Sequence, residues 1–137
     1  MKAKPMFMSA AHVEAMNRLL AVDVDSRAKC AQLSRPYWFV HELDDGGRTV
    51  WWTLELNPNE GMRFSLVPPP AGVRADIVMR GSFGAVVEAT RRRKAGEEVP
   101  YPVITEGDLQ SMAIFGPALE AGRRAATLET RFTSAAE

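Results

Sequence analysis

The sequence predicts an α+β domain in which two helices lead into an antiparallel meander, followed by two strand–helix units. Three observations carry this. Val13, Met16 and Leu20 recur at helical spacing behind Ser9, and from Tyr37 the period changes to an aromatic and β-branched run followed by alternation in Thr49–Leu56 and Met62–Val67. Turn-forming runs, Asp44-Asp45-Gly46-Gly47 and Asn57-Pro58-Asn59-Glu60-Gly61, cut the alternating region into three strands. Further on, Gly81-Ser82 and Gly107-Asp108 each join a short extended run to a helical one.

Taken in order, Ser9 is an N-cap, and Val13, Met16 and Leu20 follow at spacings of three and four, which predicts an amphipathic helix from Ser9 to about Val22. Asp25 or Ser26 caps a second short helix ending near Leu33, and Pro36 stops it. Tyr37–Leu43 is aromatic and β-branched. Thr49–Leu56 alternates, with Val50, Trp52, Leu54 and Leu56 on one face and Trp51 on the other. Met62, Phe64 and Leu66 alternate in the third strand. Pro68-Pro69-Pro70-Ala71-Gly72 cannot extend a strand and reads as a stiff connection.

Ala75–Arg80 is a fourth strand, and Ser82 caps a helix carrying Phe83, Val86, Val87 and Thr90. Arg91, Arg92, Arg93 and Lys94 crowd its last turn, where the helix dipole favours cations, and Gly96 ends it. Val103–Glu106 is a short extended run. Gly107-Asp108 then starts a helix carrying Leu109, Met112 and Phe115, which Gly116-Pro117 should kink or restart before Leu119. The tail from Thr127 is weakly patterned and should fray or add an edge strand.

At 137 residues the chain is expected to form one domain, with its core over about residues 9–126. Seventeen basic and seventeen acidic residues balance, which argues against a nucleic-acid binder. Cys30, the single cysteine, excludes an internal disulfide and a Cys-rich zinc site and reads as a small apolar residue. With no apolar run of membrane-spanning length and no signal-peptide pattern, the expected compartment is the cytoplasm. No phosphate-binding loop, nucleophile elbow or metal-ligand spacing points to a cofactor or a metal.

This order of elements resembles the sterol carrier protein type 2 family, especially its small, divergent bacterial members. The residues that carry the resemblance are Val50-Trp51-Trp52-Thr53-Leu54-Glu55-Leu56 in the meander, Arg74-Ala75-Asp76-Ile77-Val78-Met79 before Gly81-Ser82, and Glu106-Gly107-Asp108 before the last helix. The resemblance implies a mostly antiparallel five-stranded sheet covered by four or five helices. It also implies an apolar cavity or tunnel between sheet and helices that holds a lipid.

On that basis the expected cavity lining is Trp52, Leu54, Phe64, Leu66 and Met79 from the sheet, facing Met112, Phe115 and Leu119 from the last helix. The same residues also describe an ordinary core, since ligand pockets and cores share their composition. Seven methionines suit an adaptable cavity. The expected activity is non-catalytic binding or transfer of a fatty acid, acyl chain or steroid-like molecule by a monomer or homodimer. Arg91, Arg92, Arg93 and Lys94 would touch a membrane surface transiently. Two other readings stand beside it: an interaction or dimerisation module with a collapsed cavity, and a small isomerase or cyclase using His41 or Asp76.

Overall fold

The computed structural model, which describes residues 4–132, runs in the order α1 (Ala10–Ala21), α2 (Val24–Ala31), β1 (Tyr37–Asp45), β2 (Arg48–Asn57), β3 (Gly61–Ser65), β4 (Ile77–Ser82), α3 (Phe83–Lys94), β5 (Val103–Gly107) and α4 (Ser111–Ala125). The five strands form one sheet of order β3-β2-β1-β4-β5. Neighbours are antiparallel except for β1 and β4, which run parallel. The β1–β2 hairpin closes through Gly46 and Gly47 at φ 62° and 91°, the left-handed pair that a two-residue turn between twisted strands requires.

Register decides what the sheet presents. Phe64, Leu54, Phe39 and Ile77 stand side by side in one row. Trp52, His41 and Met79 form the next row on the same face. All four helices cover this face. From α1, His12 lies 5.4 Å from the Trp52 ring, and the Asn17 side chain both donates to and accepts from the Phe64 backbone. From α4, Phe115 packs against Tyr37 and Phe39 at 5.4 and 6.3 Å. Packed against α4 and β3, α2 contributes the fully buried Cys30, while α3 contributes Val86. Phe39, Leu43, Leu54, Leu56, Met62, Ile77, Val86 and Phe115 are sealed from solvent. Each such side chain contributes roughly 1.5–3 kcal/mol on burial.

The opposite face carries Trp38 and Trp51, both half-buried, together with the buried Val40 and Thr53. There Arg80 ties β1 to β5 by pairing with Glu42 at 2.8 Å and Glu106 at 2.7 Å.

Three local features depart from the sequence expectation. The cap of α2 is Asp23, whose carboxylate accepts the Ser26 N–H at 2.8 Å, rather than Asp25 or Ser26. The last helix begins at Ser111 instead of Gly107-Asp108, because Asp108 accepts the Gln110 N–H and closes a turn of its own, leaving Leu109 exposed. The same helix runs unbroken through Gly116-Pro117. Pro117 lies on its exposed side, so the Ala113 carbonyl that loses its partner faces water. Beyond α4 the chain returns to the N-terminal segment, where Met6 and Arg131 form a short parallel bridge: the Arg131 N–H donates to the Pro5 carbonyl and the Phe7 N–H donates to the Arg131 carbonyl.

Candidate functional site

Where α3 and the end of α4 rise from the sheet, they leave a cavity of about 510 Å³ on the covered face. Its sheet side consists of His41 from β1 and Met79 from β4, neighbours in the same register row. From α3 come Thr90, Arg93 and Lys94, and α4 contributes Arg123. Tyr101 enters from the connection between α3 and β5, held between Pro100 and Pro102.

The polar groups here are organised around the imidazole of His41, which is 4% exposed. Its Nε2 lies 2.9 Å from the Tyr101 hydroxyl, and the two rings meet edge to face at 5.8 Å. The buried Nδ1 has no hydrogen-bond partner. Burial, and secondarily the charge of Arg123, bring the His41 pKa down to about 4, so the ring is neutral at physiological pH. Burial raises the Tyr101 pKa against the opposing pull of Arg123 and Arg93. Although much of Arg123 still reaches solvent, the walls around its guanidinium lower its pKa by desolvation. It stands 5.5 Å over the Phe39 ring. Arg93 donates to the Val99 carbonyl at 2.9 Å and lies 5.2 Å over the Tyr101 ring.

The residues expected to line a cavity are distributed differently. Met79 lines the one just described. Trp52, Leu54, Phe115 and Leu119 fill the closed core beneath α1 and α4, and Met112 packs partly buried against it. Phe64 and Leu66 border a shallower, more open groove between α1 and β3, together with Val13 and Ala21. Asp76 lies away from the cavity, where its carboxylate accepts the Trp38 N–H at 2.8 Å and pairs with Arg35 at 2.8 Å. Thr90, Tyr101 and Arg123 were not anticipated. The one signal for Tyr101 in the sequence is an aromatic residue pinned between two prolines in an otherwise polar stretch.

Neither a family model nor a curated protein matches the sequence. Solved structures do. The solution structure of a conserved hypothetical protein from Thermus thermophilus, named there as a possible sterol carrier protein, is 14% identical. It superposes with a TM-score of 0.51 over 92% of this chain and 93% of that one. The fold is that of the sterol carrier proteins. Sterol carrier protein 2 from Yarrowia lipolytica in its apo form, 18% identical, matches 88% of this chain and 95% of its own at a TM-score of 0.49. A crystal structure of sterol carrier protein 2 matches 88% and 94% at 14% identity and a TM-score of 0.47. At these identities the likeness is one of fold, an α+β sheet covered on one face, and the residues of the cavity must be read from this chain alone.

Among the described residues no helix is long and apolar enough to cross a membrane, and no group of three or more His, Cys, Asp or Glu side chains is placed to hold a metal ion.

Proposed function

We propose that the protein binds an apolar, lipid-like ligand without covalent chemistry, with the ligand seated in the cavity between the sheet and α3 and α4. The supporting observation is the cavity's position. It opens on the helix-covered face of a sterol-carrier fold, and its volume lies within the roughly 300–1,000 Å³ usual for small-molecule sites. Met79, the ring of Tyr101 and the stems of Arg93 and Arg123 offer apolar and polarisable surface. At about 0.8 kcal/mol per buried methylene, a chain of roughly ten supplies about 8 kcal/mol gross, which is the scale of micromolar affinity before association costs.

The titratable groups suit binding better than proton transfer. His41, with a pKa of about 4 and Nε2 occupied by Tyr101, is a weak base at neutral pH. Asp76 is committed to Arg35 and the Trp38 backbone outside the cavity.

Native mass spectrometry of the purified protein, sprayed gently and then at rising collision energy, tests the reading. An adduct of a few hundred daltons that leaves as an intact lipid, and is lost in Met79→Trp, is expected. A bare polypeptide mass that persists after incubation with mixed fatty acids, acyl thioesters and steroids would overturn it in favour of an interaction module.

A further inference from the structure

We propose that this cavity contains an oxyanion site, in which Arg93, Lys94 and Arg123 hold a carboxylate or phosphate monoester that the Tyr101 hydroxyl also donates to. The inference deepens the lipid reading where the oxyanion ends an apolar chain, but it rests on separate observations.

The first is how the basic run at the end of α3 divides. Arg91 pairs with Glu88, and Arg92 pairs with Glu97 at 2.9 Å, so both are neutralised on the outer surface. The next two residues, Arg93 and Lys94, turn to the cavity instead. Arg123 meets them from α4, a separate element. Three cations thus border one cavity whose lining includes no Asp or Glu. Among the described residues none of the three forms a salt bridge. Their side-chain partners are instead neutral: Lys94 donates to the Thr130 hydroxyl at 3.3 Å, and Arg93 to the Val99 carbonyl. Like charges gathered without a counter-charge repel one another, and an anion placed among them relieves that repulsion.

The second observation is the orphaned Nδ1 of His41. A neutral imidazole carries one N–H and one lone pair. A buried N–H without an acceptor is rarer and costlier than an unused lone pair. The proton therefore belongs on Nε2, where it is donated to the Tyr101 oxygen 2.9 Å away. The Tyr101 hydroxyl, already accepting, has its own proton free to donate elsewhere. Burial keeps that phenol protonated, and Arg93 and Arg123 both act on it, so the donor and the guanidinium charges converge on the same space. His41 in this arrangement positions Tyr101 and does not touch the ligand. A carboxylate or phosphate suits such a set of donors, since planar guanidinium groups and a hydroxyl match its oxygens.

Isothermal titration at low ionic strength with decanoate, decyl phosphate, decanol and inorganic phosphate tests the site, using wild type, Arg123→Gln and Tyr101→Phe. Decanoate and decyl phosphate should bind at least about tenfold more tightly than decanol, with the preference shrinking as salt is added. Arg123→Gln should abolish the preference, weakening decanoate and decyl phosphate at least about tenfold more than decanol, and Tyr101→Phe should reduce it. Thermal midpoints show that each variant is folded, and Arg93→Gln replaces Arg123→Gln if the latter is not. Equal affinity for decanoate, decyl phosphate and decanol overturns the oxyanion site and leaves the lipid reading standing. Binding of inorganic phosphate as tight as that of decyl phosphate, with none of decanol, supports the oxyanion site and removes the lipid reading. Failure of all four probes overturns both.

Discussion

The imidazole of His41 and the hydroxyl of Tyr101, 60 residues apart in the chain, meet at 2.9 Å under a lid of cationic side chains. That burial makes His41 an acid-sensitive element of the fold. Above about pH 6.5 the ring is neutral in both the folded and unfolded states. Between there and about pH 4 the unfolded chain takes up a proton that the folded protein refuses, so stability falls as the pH drops through this window. At about 1.4 kcal/mol per pKa unit, the loss from His41 approaches about 3 kcal/mol by pH 4. His12, also lowered to about 4, by burial and then by Lys94, acts in the same direction. Urea midpoints measured from pH 7 to pH 4 should show this decline, with a shallower slope in His41→Phe. An unchanged slope in that variant would show that His41 does not carry the effect.

Phe115 and Met79 separate the closed core from the cavity wall. Phe115 is fully buried against Tyr37 and Phe39, whereas Met79 retains partial exposure at the cavity. Phe115→Ala should cost about 3–5 kcal/mol in a denaturant titration, and Met79→Ala less than about 2 kcal/mol, because the surface Met79 covers is already partly open. Equal costs would mean that the two residues share one core and that the cavity wall is packed as tightly as the interior.

The local code of this chain was legible where a few adjacent residues decide the outcome. Ser9 and Ser82 cap their helices as expected, accepting the N–H of His12 and Ala85. The alternation of Trp52, Leu54 and Leu56 fixes the covered face of β2. What the pattern left open is which apolar surfaces touch. Phe115 fills the space over Phe39 that the family resemblance assigns to a tunnel, and no periodicity in either element announces that fit. The cavity was hidden for a different reason. His41, Tyr101 and Arg123 come from a strand, a loop and a helix, and they meet because β4 pairs beside β1 while α3 and the loop after it, which join β4 to β5, fold back over that pair. Reading Arg91 to Lys94 as one charged block likewise missed its division. Successive helical residues point about 100° apart, so a run of four necessarily addresses different neighbours.

Asp76 is predicted to hold the architecture together without affecting ligand. Its carboxylate accepts from Trp38 N and from Arg35, and its backbone joins both β1 and the turn at Asp108. Asp76→Ala leaves the Trp38 N–H without its partner and should cost about 2–3 kcal/mol. In Asp76→Asn the amide oxygen can still accept from Trp38, so the cost should be roughly half. Arg35→Ala, which removes only the half-exposed partner, should cost less than about 1 kcal/mol. Chemical denaturation ranks the three variants. If Arg35→Ala proved as damaging as Asp76→Ala, the ion pair rather than the backbone hydrogen bond would be the stabilising contact.

Gly107 ends β5 at φ 119°, a conformation side chains rarely adopt, and it lies directly against the Asp76 backbone. A Cβ there would collide with the Asp76 carbonyl oxygen, which is the acceptor for the Asp108 N–H. Neither the strand nor that carbonyl can yield without breaking the β4–β5 pairing, in which Gly107 faces Ile77. Gly107→Ala should therefore destabilise by at least about 1–3 kcal/mol. Gly96 has a similar φ of 91° but open space around it, so Gly96→Ala carries the conformational cost alone. Thermal unfolding of the two variants distinguishes collision from conformation: a larger drop in midpoint for Gly107→Ala confirms the close approach to Asp76. Equal drops would reduce Gly107 to its backbone angle.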